Sequence, residues 1–505
     1  MNWLADAHGL IPRRMKRMNK FVKGAAVVSV AALGTIALAG CGKSDSASSG
    51  KTTTVNMYMP GDKPKNYDAM LKKANKEIHK TYKDINVKMN FIGWGDYEQK
   101  YNVMVTSATS YDWPFSQSYT NNALKGAYAD MTDELKNGVA KKAYKEVNPS
   151  YWKGLKVNGK IYGFPVNANV YAQNMLTFNQ SFLDKNNINI KGVNSYASME
   201  PALAKFHKQN PGVAAFAIGQ GFKASPAHMD FPLGNGLPFG IDSSGKNKKI
   251  VNVYDTAEMK GILKTLHSYY EKGYIPKDAA TSSTQYNLQD NTWFVRQETQ
   301  GPYDYGDTTL ENSAGGKKMQ SKAITDPYKS SAQTQVAVWN ISKTSKHKTE
   351  AMKVLNLMNT NKKLLNNITW GLEGDQWNFT NEDKGKIKLT KKYKPGYFIG
   401  AWMMGNNKNL YTLDTTTNAM IKKRDDSIAN SKTSAALGFN PDTRALKTEI
   451  TNLSNVMSKY LDILNTGTAD PEPTIKKMDK ELKTAGYDKV QKELQKQYDA
   501  FLAKK

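Results

Sequence analysis

Thr52-Thr-Thr-Val-Asn-Met-Tyr-Met59, Tyr67-Asp-Ala-Met-Leu-Lys-Lys-Ala-Asn-Lys-Glu-Ile78, Ile85-Asn-Val-Lys-Met-Asn-Phe-Ile92 and Trp94-Gly-Asp-Tyr-Glu-Gln-Lys-Tyr101 follow one another in the chain, and their alternation decides the fold class. In the first stretch Val55, Met57 and Met59 alternate with polar positions, the period of a half-buried strand. Pro60-Gly61 stops it. Tyr67, Met70, Leu71, Ala74 and Ile78 then recur at helical spacing on one face. Ile85, Val87, Met89 and Phe91 alternate again as a second strand, and Trp94 to Thr106 returns to helix. A β-α-β-α opening predicts a parallel, doubly wound sheet.

Working outward, the middle of the chain reads as a second α/β lobe. Ile161 to Phe164 precedes Pro165, and Val170 to Phe178 reads as a strand leading into it. Phe182–Asn189 and Met199–His207 are expected helices, and Gly219–Gly245, dense in Gly and Pro, is an expected loop. Val336–Ile341 is strand-like, Glu350–Met358 is an amphipathic helix, and Phe398–Leu410 has no clean period but carries aromatics and amides. The end is helical. Leu446, Ile450, Leu453, Val456, Met457 and Tyr460 share a face, and Ile475, Met478 and Leu482 do likewise after Pro471 and Pro473. Gly486 interrupts before Val490, Leu494, Tyr498 and Phe501 resume the pattern.

The N-terminus carries a different signal. Lys16, Arg17, Lys20 and Lys23 precede an apolar run from Ala25 to Ala39, which is shorter than the roughly 20 residues of a membrane span but suits a signal-peptide core. It ends in Leu38-Ala39-Gly40-Cys41, which matches the bacterial lipobox, so residues 1–40 are expected as a signal peptide and Cys41 as the lipidated first residue. Met15 or Met18 would begin a more typical leader. Residues 41–51, rich in Ser, Gly and Lys, read as a flexible tether. Cys41 is the only cysteine, which excludes an intrachain disulfide and a thiolate metal site. Two acyl chains give the two-signal anchoring that one chain does not.

The formal net charge is +26, of which the leader holds +5. Beyond the leader nearly all of the positive charge is Lys, with Arg only at 296, 424 and 444. Readers of bases and phosphates favour the Arg fork, so nucleic acid is not the expected partner. Attraction to anionic wall polymers and lipid headgroups is the expected consequence of such a surface.

The catalytic and metal motifs searched for are missing. There is no G-x-S-x-G, no H-E-x-x-H, no Walker loop and no EF-hand loop. Gly234-Asn-Gly236 lacks the flanking strand and helix of a phosphate loop, and the histidines after the leader stand apart in sequence. No cofactor, no metal and no enzymatic activity are therefore expected. What stands out is aromatics beside amides and carboxylates: Trp113 and Tyr119 with Asn121, Trp293 with Arg296, Tyr303 with Asp304, Trp370 with Glu373 and Asp375, Trp402 with Asn406. Each ring taken singly is read first as packing. As a set they suit a polyol or glycan, whose apolar C–H faces need flat rings and whose hydroxyls need planar polar groups.

Specific segments carry a family resemblance. Tyr58-Met-Pro-Gly-Asp-Lys-Pro-Lys65, Trp94 to Tyr101, Tyr151-Trp152 with Gly159-Lys-Ile-Tyr-Gly-Phe-Pro165, Asn340-Ile-Ser-Lys-Thr-Ser345 and Gly371-Leu-Glu-Gly374 occur in order. The chain thereby resembles the extracellular solute-binding lipoproteins of ABC importers, family 1, oligosaccharide type. From Gly438-Phe-Asn-Pro441 onward it is similar to a C-terminal region of unknown function that marks a subgroup of them. It departs at Asp112-Trp-Pro-Phe-Ser-Gln-Ser-Tyr119, where Pro114 should disturb a strand.

The resemblance implies an α/β, two-lobed periplasmic-binding-protein-like (type II) fold with a cleft between lobes and a helical C-terminal region. Expected boundaries are residues 52–165 plus about 325–370 for lobe I, and about 170–325 plus about 375–435 for lobe II. Residues 436–505 are expected to pack on a lobe. The implied function is capture of an oligosaccharide by hinge closure and delivery to the transmembrane subunits of an ABC permease. The protein is expected as a monomer at the outer face of the membrane of a Gram-positive-like bacterium. Expected ligand contacts are Asp62, Tyr119, Asn121, Asn167, Tyr171, Trp370, Asp375, Trp402 and Asn406. A lipid-anchored glycan-active enzyme and a wall-polymer-binding surface protein are the alternatives.

Overall fold

The computed structural model describes residues 52–107, 111–116, 118–168, 172–284 and 286–505. The leader, Cys41, the tether and Tyr171 lie outside the described residues. Strand β1 (Thr53–Pro60), helix α1 (Tyr67–His79), strand β2 (Ile85–Ile92) and helix α2 (Trp94–Thr106) coincide closely with the sequence reading. β1 runs parallel to β2 from Thr53↔Ile85 to Pro60↔Ile92. Val55, Met57 and Met59 of β1 and Met70, Ala74 and Ile78 of α1 are buried in one core, which is why period 2 and period 3.6 could both be read from the same apolar layer.

Pro114 does not abolish its strand. Strand β3 (Trp113–Pro114) pairs in parallel with β1 at Met57 and Tyr58. The Pro114 carbonyl accepts from the Asn340 amide at 3.1 Å, and the Phe115 amide resumes the ladder to Tyr58 at 2.8 Å. Ahead of the short strand, the Asp112 carboxylate accepts from the Asn56 amide (2.9 Å) and the Ser345 hydroxyl (2.6 Å). A side chain thus supplies acceptors that a longer strand would have supplied from its backbone.

The second sheet has the order 319–323, 173–179, 293–300, 214–216, antiparallel except for its last pair. Leu176, Phe178, Phe294 and Val295 lie in a separate core with Phe206, Phe216, Leu263 and Leu266. The expected loop 219–245 contains two short strands, Met229–Asp230 and Phe239–Asp242, which pair with each other and with Ile250–Asn252. Their Gly-rich flanks hid an apolar alternation only a few residues long.

Helices Lys447–Asn465, Pro471–Thr484 and Tyr487–Leu502 bury Leu453, Met457, Tyr460, Ile475, Met478, Leu482, Val490 and Leu494 in that second core. Gly467 fixes their docking. Its φ is +73°, and a Cβ there would lie 2.3 Å from the Leu266 carbonyl oxygen. A larger residue would push the helical region off the 257–271 helix.

One expected boundary is corrected. Residues from about 375 were assigned to the second lobe, yet Ile399, Met403 and Met404 lie in the first core. The Ile399 amide bonds the Ile368 carbonyl (3.0 Å), and the buried Trp339 indole donates to the Met403 carbonyl (2.8 Å). Between them, strands 377–381, 386–389 and 412–413 form a small sheet with its own core of Trp377, Ile387 and Leu413. The chain reaches the second core again at Ala436 and Phe439. Among the described residues the core changes between Ala168 and Leu176, between Ile324 and Ala337, and between Ile428 and Ala436. Among the described residues no helix is long and apolar enough to cross a membrane.

Candidate ligand-binding cleft

In a parallel open sheet, ligands settle outside the carboxyl ends of the strands. At that edge of the first sheet β1 ends at Pro60-Gly61 and β2 at Ile92-Gly93, and Trp94 opens α2. The Trp94 and Trp402 rings stack there, 6.0 Å between centroids and 19° apart in plane. Phe115 meets Trp402 edge-on at 6.2 Å and Trp339 at 5.4 Å, and Trp339 leans on Trp113 at 5.0 Å. Trp113, Phe115 and Trp339 are buried, whereas Trp402 and Trp94 are half-buried. A column of five rings therefore runs from the core to the strand ends and presents flat apolar surface there.

The crossover segments meet beside this column. The Asn167 amide bonds the Gly405 carbonyl (3.2 Å), the Asn407 amide bonds the Asn167 carbonyl (3.1 Å), and Asn167 Nδ2 donates to Asn406 Oδ1 (2.8 Å). Asn406 is fully buried, and its Nδ2 has no acceptor among the described residues. Gly405 has φ +59°, and a Cβ would lie 2.5 Å from the Met358 carbonyl oxygen, so only glycine brings these segments so close.

The second lobe contributes Gly301–Tyr305. The Tyr303 hydroxyl is hydrogen-bonded to the Asn167 side chain, and burial, partly offset by Arg424, pushes the phenol up to about 12. Arg424, on the helix Asn418–Asn430, places its guanidinium carbon 5.6 Å from the Tyr303 ring and 5.7 Å from the Tyr305 ring. Its Nη1 donates to the Tyr305 hydroxyl at 2.6 Å. Between the two tyrosines, buried Asp304 accepts from the Gly301 amide (2.6 Å), and burial raises its carboxyl to about 6.

Of the residues expected from sequence, Asn167, Asn406 and Trp402 are brought together here. Asp62 is exposed one residue past Gly61, where a Cβ would lie 3.8 Å from the Trp94 indole nitrogen. Four expectations are corrected. Tyr119 is buried in the first core, its hydroxyl donating to the Leu155 carbonyl (2.8 Å) and accepting from the Tyr162 amide (3.0 Å). Asn121 accepts from the Thr443 hydroxyl (2.9 Å), so it joins the first lobe to the C-terminal region. Asp375 pairs with Lys392 at 2.8 Å and is held below the usual carboxylate range by that lysine and Gln376. Trp370 stands beside Tyr393, outside the junction, at 5.9 Å. An aromatic next to an amide is equally the signature of a satisfied core, and sequence does not separate the two.

Trp94, Phe115, Tyr303 and Arg424 border this junction and were not among the expected contacts. Tyr303 beside Asp304, and Arg424 as one of three arginines after the leader, were visible signals. Phe115 was masked by its neighbouring proline.

Residues 69–374 match the family described as bacterial extracellular solute-binding protein, and residues 435–503 match a domain family of unknown function, DUF3502. A carbohydrate ABC transporter substrate-binding protein from Streptococcus pneumoniae serotype 4 is 43% identical over 97% of this chain and 100% of its own. The crystal structure of the N-glycan transport solute-binding protein NgtS from S. pneumoniae superimposes with a TM-score of 0.85, covering 89% of this chain and 99% of that one at 43% identity. Its complexes with Man1GlcNAc and Man5GlcNAc give 0.82 and 0.80. An extracellular solute-binding protein from Bifidobacterium longum subsp. infantis shares the fold at 17% identity, with a TM-score of 0.62 over 90% of this chain and 99% of that one. The family match over residues 69–374 and the 43% identity along nearly the whole length show that the chain belongs to the bacterial extracellular solute-binding proteins that serve ABC importers.

Proposed function

We propose that this protein captures an oligosaccharide built from mannose and N-acetylglucosamine, by closing its lobes on it, and presents it to a permease. The observation that carries this reading is the half-buried Trp94–Trp402 stack at the strand ends, facing a junction rich in amide and phenol groups. Flat rings receive the C–H faces of a pyranose, and Asp62, Asn167 and Asn406 offer planar groups for its hydroxyls. Tyr303 and Arg424 would approach from the second lobe. The 43% identity to NgtS, solved with Man1GlcNAc and Man5GlcNAc, supports this ligand class. The ligand biases the equilibrium by touching both walls only when they are close. No covalent step is required of the protein.

Cys41 would carry the lipid anchor and hold the receptor, as a monomer, at the outer face of the membrane. The test is thermal unfolding against a glycan panel at low and high salt. A ligand at one hundred times its Kd stabilises the native state by about 2.7 kcal/mol. A salt-insensitive rise with mannose-containing glycans, with no product formed, is expected. A flat response to all glycans overturns the reading, and product formation moves it to the enzyme alternative.

A further inference from the structure

The loop that leads into Trp402 holds three aromatics within six residues, Tyr393, Tyr397 and Phe398. None of the three joins any of the four apolar cores, so packing of the fold does not account for them. Tyr393 and Phe398 lie face to face, 4.5 Å between centroids and 3° apart. Trp370 flanks Tyr393 at 5.9 Å. Lys65 holds the loop against the end of β1: its amide bonds the Gly396 carbonyl at 2.8 Å, and its ammonium lies 5.5 Å from the Tyr397 ring. All four rings are half-buried. The next residue, Ile399, is buried in the first core and fixes the loop, so the outer rings and Trp402 stand on one rigid turn of chain. At no more than about 3.5 Å per residue, Phe398 and Trp402 lie within about 14 Å of each other.

We propose that Tyr397 and Phe398, backed by Tyr393 and Trp370, form an outer carbohydrate subsite continuous with the Trp94–Trp402 platform. Its occupant is a further stretch of the same glycan that fills the cleft. Continuity with the cleft edge argues for this occupant. So do the polar groups nearby: exposed Asp62 stands three residues before Lys65, which bonds the loop, and Asp375 pairs with Lys392 beside Tyr393. Flat rings near hydrogen-bonding groups suit a saccharide better than an apolar partner surface. The inference rests on the receptor reading above and adds a preference within it: longer, branched glycans are held more tightly than their short cores.

The test is calorimetric titration of the full chain and of the Tyr397→Ala/Phe398→Ala variant with Man1GlcNAc and Man5GlcNAc. Wild type is expected to bind the longer glycan more tightly. The double variant is expected to lose about five- to 150-fold of that affinity, two stacked rings at the usual aromatic increment, and to keep its affinity for the shorter one. Its unfolding midpoint without ligand is expected to fall by no more than a few degrees, because neither ring belongs to a core and only the Tyr393 stack and the Lys65 contact are lost. Phe398→Leu, which keeps apolar volume without the flat ring, should reproduce part of the loss if the double variant does not fold. Equal losses for both glycans, or no loss for the longer one, overturn the subsite while leaving the receptor reading intact. Wild-type protein that binds neither glycan overturns both.

Discussion

Asp304 offers the sharpest test of the second-lobe wall. Its carboxyl is buried, and desolvation raises it from 3.8 to about 6 despite the hydrogen bonds from Gly301 and Thr309. Between those two values the folded protein keeps the proton and the unfolded chain has lost it. The folded state therefore binds more protons, and wild-type stability falls as pH rises through that window. The contribution is level below about 4 and level again above about 6. A shift of about two units at about 1.4 kcal/mol each sets the height at about 3 kcal/mol. Asp304→Asn keeps an oxygen for the Gly301 amide at 2.6 Å and removes the charge. Urea unfolding of both proteins, in steps from pH 3.5 to 8, gives the difference directly. Carboxylates held low by partners, such as Asp130 and Asp442, act in the opposite sense but are present in both proteins and cancel. The variant is expected to match wild type near pH 3.5 and to exceed it by about 2–3 kcal/mol at pH 7. A difference that stays level across this range, or falls as pH rises, would refute the claim that burial outweighs these hydrogen bonds at this carboxyl.

Trp402→Ala should weaken glycan binding by about 50- to 100-fold in calorimetry. An aromatic of this size buries roughly 150–250 Å², about half of it here against Trp94 and Phe115, and the remaining roughly 100 Å² at about 25 cal/mol per Å² is about 2.5 kcal/mol. Raising salt from 50 to 500 mM should change that Kd by less than twofold, because a neutral sugar in the cleft draws nothing from the +26 charge of the chain; a Kd that climbs steeply with salt would point to wall-polymer binding instead. Gly467→Ala should lower thermal stability by about 2 kcal/mol or more, since φ is +73° and the added carbon meets the Leu266 carbonyl, and limited proteolysis should then release the C-terminal helices first.

The first lobe was legible because its apolar layer repeats cleanly: the bounds of β2 and α2 match the sequence reading to the residue. The C-terminal helices were legible for the same reason, and Gly486, whose φ is +103°, ends one and caps the next. The site was legible only in part. Asn167, Trp402 and Asn406 lie at one junction, and their meeting depends on segments separated by more than 230 positions, as the Asn167–Asn406 hydrogen bond shows. Tyr119 and Asn121 looked alike in sequence and went to a core and an interlobe contact. Local pattern reports which face of an element is apolar. It carries no information on whether the apolar face meets protein or ligand.

The connections between the lobes are thin where the cores are thick. Helix 418–430 has no fully buried residue: Ile428 leans on the first core, while Arg424 lies against Tyr303 and Tyr305 of the second lobe. Away from the cleft edge, Asn440 donates to the Gly154 and Lys156 carbonyls (2.9 Å each), and Thr443 reaches Asn121. These are hydrogen bonds at partly exposed positions, each contributing only about 1 kcal/mol net. Breaking an apolar core would cost many times more. A relative movement of the lobes is therefore resisted by small, replaceable contacts, and both cores can ride through it unchanged. The few kcal/mol that a stacked and hydrogen-bonded sugar supplies to the closed arrangement are of the size needed to tip such a balance. That match of scales suits an aromatic column that ends at the strand edge, where Trp94 and Trp402 keep half-exposed flat faces.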